Sequence, residues 1–127
     1  MRITWVKGSP RSNGNSALMA AAFLDEVKKA GDVEIKTYEL NRMSYKGCQE
    51  CLKCNTDIDK CVIKDDLSEV LDEIRASDVL VLSSSVFYGE VTSQAKGLID
   101  RMYSFAKYDY HTREFTRRLE GSKRFVT

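Results

Sequence analysis

Proline occurs once in this chain of 127 residues, at Pro10, and histidine once, at His111. No repeat, linker or low-complexity segment interrupts it, so the residues 1–127 read as one domain, with room for a single core. His111 stands in the polar run Tyr108 to Arg113, without a cysteine partner or an apolar face, and reads as a surface imidazole rather than a base. No side chain stands out as a nucleophile. Charge of one sign is lacking too: a formal net charge of +1 leaves no footprint for nucleic acid or an anionic membrane. No apolar run approaches the length of a membrane-crossing helix, and Met1 to Val6 enters a strand-like segment with no signal-peptide core, so a cytoplasmic protein is expected. Cysteine is absent outside one stretch of fourteen residues, from Cys48 to Cys61, which excludes a disulfide framework spread over the chain.

What remains is an ordinary globular composition, 43% hydrophobic and 31% charged, with two alternating signatures. Arg2 to Val6, Val33 to Leu40 and Val79 to Leu82 read as strands, the last an apolar run suited to burial on both faces. Between them lie helical patterns. Ala17, Leu18, Ala21, Ala22, Leu24 and Val27 recur at helical spacing after an N-cap at Asn15 or Ser16, and Gly31 stops them. Leu67, Val70, Leu71 and Ile74 share a helix face behind Asp65 or Asp66, a pair explained by that helix start. A third helix spans about Ser93 to Phe105, after a turn at Gly89. The alternation predicts an α/β fold with a parallel sheet, and Gly121 to Thr127 reads as the approach to a fourth strand. Trp5 is assigned to the core, and the basic residues Arg117, Arg118, Lys123 and Arg124 to a solvated face.

Two segments carry chemistry. Gly8-Ser9-Pro10-Arg11-Ser12-Asn13-Gly14-Asn15-Ser16 delivers a polar turn from a strand to a helix N-terminus, where free N–H groups and the helix dipole favour an anion. Its glycine spacing is not G-x-G-x-x-G and the Walker lysine is absent, so one terminal phosphate suits it better than a pyrophosphate. An ordinary βα turn has the same composition. The second segment is Cys48-x2-Cys51-x2-Cys54-x6-Cys61, inside a loop without periodicity from Asn41 to Lys64. Four thiolates so close can hold a [4Fe–4S] cluster, a structural zinc, or no metal at all.

The string Gly8 to Ser16 resembles the GSPRxxGNT loop of the NAD(P)H-dependent FMN reductase group of the flavodoxin-like superfamily. Ser83 to Gly89 and Ala95 to Arg101 resemble that group's SSPVYFG and LKxLIDR stretches, with Ser85 and Phe87 where it has proline and tyrosine. The resemblance implies a flavodoxin-like, doubly wound parallel sheet of order 2-1-3-4-5, with C-terminal strands missing or incomplete here. It implies FMN with its phosphate on Ser9, Arg11, Asn13, Asn15 and Ser16, and its ring bordered by Val86, Phe87, Tyr88 and Gly89. The cysteine spacing resembles the compact motif of the iron–sulfur flavoproteins, which implies Cys48, Cys51, Cys54 and Cys61 as ligands of a [4Fe–4S] cluster. The activity implied is FMN-dependent oxidoreduction in a homo-oligomer, with electrons from a ferredoxin-like donor through the cluster, or from NAD(P)H to a quinone or flavin without it. A rival is an electron carrier or metal-binding module with no turnover.

Overall fold

The computed structural model describes residues 1–121 and 123–127. Its centre is strand β1 (Arg2–Lys7), followed by helix α1 (Asn15–Ala30), strand β2 (Glu34–Glu39), helix α2 (Leu67–Ala76) and strand β3 (Val79–Ser83). Two short strands, β4 (Val86–Phe87) and β5 (Glu90–Val91), form a hairpin before helix α3 (Ser93–Arg101). A second hairpin, β6 (Ala106–Tyr108) with β7 (Phe115–Arg117), precedes strand β8 (Arg124–Val126). The main sheet has the order β2-β1-β3-β8, all parallel, so the fourth strand foreseen at the end of the sequence does pair with β3. Ser122, on its expected approach, lies outside the described residues.

Helices cover both faces of the sheet. Ala20 and Leu24 of α1 pack with Ile3 and Val81 on one face; Val70, Leu71 and Ile74 of α2 and Leu98 of α3 pack with Val6 and Leu80 on the other. The alternation of Ile3 and Val6, and of Leu80 and Val81, between the two clusters is the period-two signature of a strand sandwiched between helix layers. None of the described helices is long and apolar enough to cross a membrane.

Several expected boundaries and contacts move. Helix α1 is capped by Gly14 rather than Asn15 or Ser16, and it makes no side-chain cap bond. Its buried face is Ala17, Ala20 and Leu24, which leaves Leu18 and Ala22 exposed. The third helix stops at Arg101, and Met102–Phe105 tightens into a 3-10 turn. Trp5 is only half buried, and its indole N–H donates to Ser83 Oγ at 3.1 Å. His111 is exposed as expected, with its amide bound to Asp109.

Candidate functional site

The loop from Gly8 to Ser16 and the loop after β3 meet at the carboxyl ends of β1 and β3, where open α/β sheets bind ligands. Gly8 donates to Ser83 O at 2.7 Å, and Thr92 Oγ1 donates to Gly8 O at 2.5 Å. Gly8 has to be glycine, because a Cβ there would lie 2.8 Å from the Ala95 Cβ. The first loop is thereby pinned against the start of α3. Thr92 is the N-cap of that helix, accepting from Ala95 N at 3.2 Å.

Five loop residues were expected to face a phosphate, and their environments differ. Ser9 is buried; its Oγ accepts from Arg11 N at 3.2 Å and from Ser85 Oγ at 2.9 Å. Both bonds leave its own proton free. Ser16 Oγ is shielded from solvent with no hydrogen-bond partner, a state that costs about 1–3 kcal/mol unless something else fills it. Arg11, Asn13 and Asn15 are exposed. The first turn of α1 carries no acidic residue and no side-chain cap, so the positive end of a sixteen-residue helix dipole stays uncompensated beside Ser16. This donor set fits an anion.

The residues that brace the loop were not foreseen. Lys7, buried at the end of β1, donates to Glu39 Oε1 at 2.9 Å, and Ser12 Oγ donates to Glu39 Oε2 at 3.0 Å. The Lys7 bond, then that of Ser12, holds the Glu39 carboxyl below its usual range. Glu39 therefore claims one hydroxyl of the loop for structure. Opposite charges at the ends of two strands, Lys7 and Glu39, were the available signal.

The second loop forms the hairpin of β4 and β5, turning at Tyr88 and Gly89 with φ of +52° and +84°. Val86, Phe87 and Tyr88 stand 75%, 54% and 108% exposed. An aromatic loop that merely packed on its own domain would not leave both rings so open.

The four cysteines lie elsewhere, around a cavity of about 360 Å³ that Arg101, Tyr103 and Tyr110 also line. Cys48 and Cys51 are exposed, Cys54 and Cys61 half buried, and all four are free thiols. Among the described residues, no group of three or more His, Cys, Asp or Glu side chains is gathered closely enough to hold a metal ion. The thiols nevertheless sense one another: burial, then the charges of Cys61, Cys48 and Cys51, push the Cys54 thiol up. Four soft donors around one cavity fit an iron–sulfur cluster or zinc in kind. Across the cavity wall Tyr103 and Tyr110 approach at 3.4 Å between hydroxyls. That bond, with burial and the nearby thiolates, pushes Tyr103 up to about 12.

Three residues read as unimportant in the sequence bind inward, two of them on this loop and Lys123 at the end of α2. Arg118, assigned to a solvated face, donates to the carbonyls of Cys54, Thr56 at 2.6 Å and Ile58 at 3.0 Å. Lys123 donates to Arg75 O and Ser77 O at 2.8 and 2.6 Å, and so closes the C-terminus of α2. Asp65 does accept from Leu67 N at 3.1 Å as a helix start should, but it also takes Arg101 Nη1 on both oxygens at 2.6 and 2.7 Å. Burial alone would raise the Asp65 pKa; the Arg101 bond and the amides of Lys46 and Leu67 outweigh it, and the group ends below its ordinary value. Burial also opposes the Arg101 charge, but Asp65 and then the Cys61 thiol outweigh it and leave the guanidinium pKa raised. From the other side, Asn55 exchanges two bonds of 2.6 Å with the backbone of Tyr108.

Residues 1–119 match the family described as NADPH-dependent FMN reductase. The chain is 35% identical over 101 residues to an iron-sulfur flavoprotein of Methanosarcina thermophila, covering 80% of this chain and 52% of the relative. It is 36% identical over 107 residues to an iron-sulfur flavoprotein of Archaeoglobus fulgidus, covering 83% and 47%. The chain thus spans about half the length of these curated relatives. Among solved structures, an NAD(P)H:quinone oxidoreductase from Methanothermobacter marburgensis superposes with a TM-score of 0.75 at 20% identity, over 99% of this chain and 64% of that one. An FMN-dependent NADH-azoreductase from Bacillus anthracis, in complex with FMN, gives 0.66 at 13% identity, over 98% and 66%. At such identities the likeness shows the fold, which is flavodoxin-like.

Proposed function

This chain belongs to the NADPH-dependent FMN reductase family, and on that premise we propose that it binds FMN at the carboxyl ends of β1 and β3 and works as an FMN-dependent oxidoreductase. The observation that carries the reading is the shielded, unpartnered Ser16 hydroxyl beside the uncompensated N-terminus of α1. A phosphate there would satisfy both at once. Ser9 contributes its free proton, and Arg11, Asn13 and Asn15 reach the phosphate from the solvent side. Val86, Phe87, Tyr88 and Gly89 border the ring, and their exposure supports the role, since a flat apolar ligand would cover what the domain leaves open. FMN held there would supply hydride and single-electron redox chemistry between NAD(P)H and an acceptor. The protein's part is to bind the phosphate, orient the ring and shield one of its faces.

The cysteine loop is assigned to a [4Fe–4S] cluster on Cys48, Cys51, Cys54 and Cys61, a group that would relay single electrons between a ferredoxin-like donor and the flavin. Support comes from the four thiols on one cavity and from relatives named iron-sulfur flavoproteins. The second reading is a reductase without a cluster, favoured by thiols that the fold does not gather to ligating distance. The exposed apolar side chains of the ring hairpin, with Met19 and Phe23 of α1, support a homo-oligomer.

One preparation tests these assignments. Anaerobically purified protein should show flavin and iron–sulfur absorbance together, with iron and sulfide by analysis; zinc alone, or no metal, would remove the cluster and leave the flavin reading standing. Replacing Asn15 and Ser16 by alanine should weaken FMN far more than riboflavin, which has no phosphate. Equal weakening of both would end the phosphate assignment. Sedimentation as a monomer at micromolar concentration would end the oligomer.

A further inference from the structure

Arg101 takes no part in the flavin site, yet it is the largest fully buried side chain of the described residues. It ends α3 beneath the cysteine loop. Nη1 bonds both Asp65 oxygens and Lys46 O at 3.3 Å, while Nη2 donates to Ile63 O at 3.0 Å. Lys46 lies two residues before Cys48, and Ile63 two residues after Cys61. A single guanidinium therefore grips both ends of the segment that carries every cysteine of the chain. Asp65 reinforces the knot by accepting from Lys46 N at 3.0 Å.

One nitrogen of the fork makes no hydrogen bond. Nε is buried with no hydrogen-bond partner, and Arg101 lines the cavity that all four thiols share. The ion pair with Asp65 accounts for Nη1, and the Ile63 carbonyl for Nη2. Neither accounts for a desolvated N–H left open beside a set of sulfur atoms, since buried donors are almost always paired. The cavity offers it four sulfur atoms, beside the oxygens of Glu50, Asp100, Tyr103 and Tyr110.

We propose that Arg101 is a positioning and tuning residue for an iron–sulfur cluster on Cys48, Cys51, Cys54 and Cys61, closing their loop at its base and offering its free Nε–H and buried charge to the cluster's sulfur. The proposal rests on the cluster reading of the cysteine loop. Hydrogen bonds to cluster sulfur and nearby positive charge stabilise the added electron, so Arg101 makes the cluster easier to reduce. Lysine would keep the charge but lose the fork and the Nε–H; glutamine would lose the charge as well.

The test is spectroelectrochemical titration of anaerobically purified wild type, Arg101→Lys and Arg101→Gln, after iron and sulfide have been measured in each. Expected is a more negative midpoint potential in Arg101→Lys and a still more negative one in Arg101→Gln, with the flavin retained. Unchanged potentials in variants that carry a full cluster overturn the proposal and leave the cluster reading intact; wild type without iron and sulfide overturns both. If the variants do not fold, wild type labelled with 15N-arginine decides. Electron spin-echo spectra of the reduced cluster should show coupling to arginine nitrogen, retained in Arg118→Lys, and a spectrum without such coupling overturns the proposal.

Discussion

Replacing Asp65 by asparagine is a sensitive probe of how this fold is held together. The side chains of Arg101 and Asp65 are 0% and 13% exposed, so their ion pair is effectively buried. Asparagine is nearly the same size and keeps one oxygen, enough for the amide of Lys46 or of Leu67 but not for both, since they bond different oxygens of Asp65. It leaves the guanidinium with two carbonyl acceptors and no counter-charge. Removing one partner of such a pair costs about 3–5 kcal/mol, and the retained oxygen argues for the lower end, about 3 kcal/mol. For a chain of 127 residues that corresponds to a fall in Tm of about 10 °C. Urea denaturation of wild type and variant near neutral pH measures it directly. The pH dependence supplies an independent check. The Asp65 pKa is depressed by folding, so its contribution is fully present above the unfolded value of 3.8 and fades as pH falls from there through the lower folded value. The gap between wild type and Asp65→Asn should close over that same acid range. A loss below about 1 kcal/mol near neutrality, the size of an exposed pair, would refute the reasoning. So would a gap that persists in acid.

Three further outcomes follow from particular contacts. Gly8→Ala should cost about 1–3 kcal/mol in thermal or urea unfolding, because its Cβ would press on Ala95 at 2.8 Å and push the loop of Gly8 to Ser16 off α3; FMN titration of the same variant should show weaker binding if that loop holds the phosphate as proposed. Arg118→Ala should speed native-state proteolysis between Cys48 and Cys61, as three carbonyls lose their donor, while hydrogen exchange in β1 and β3 stays unchanged. With a four-thiolate cluster, Cys61→Ser should abolish the iron–sulfur absorbance as fully as Cys48→Ser and leave FMN bound; iron and sulfide surviving the loss of Cys61 would show that it is not a ligand.

The strands of the main sheet and the three helices were legible because their signals are local; the short hairpins of β4 with β5 and β6 with β7 were not foreseen. Val79 to Leu82 reads as a strand with helices on both sides, and the polar turn after β1 stood out at a helix N-terminus, although an ordinary βα turn has the same composition. The cysteines announced themselves by type. What could not be read was which charges turn inward. Arg101 and Arg118 look alike in sequence, one inside a helix and the other in a basic tail, and only the return of the chain past the cysteine loop gives each a set of carbonyls to bind. Asp65 was explained by the helix it precedes, and that explanation holds for its bond to Leu67; the ion pair with Arg101, thirty-six residues away, has no local signature. The same is true of Glu39, whose pull on Ser12 and Lys7 depends on the parallel pairing of β1 with β2. Helix capping failed differently: Gly14 starts α1, and the polar side chains expected to cap it are left available.

Helix α3 is capped by the residue that holds the loop at Gly8 and ends at the one that grips the cysteine loop. Its nine residues measure about 13 Å, and a helix of that length neither stretches nor bends appreciably. It acts as a ruler between the two loops, and as a shaft as well. Inserting a single residue between Thr92 and Arg101 would lengthen the span by only about 1.5 Å but swing everything beyond it through about 100°. The arginine would then leave its pocket while the threonine stayed in place. In this segment the number of residues, more than their identity, keeps the two ends of the molecule in phase.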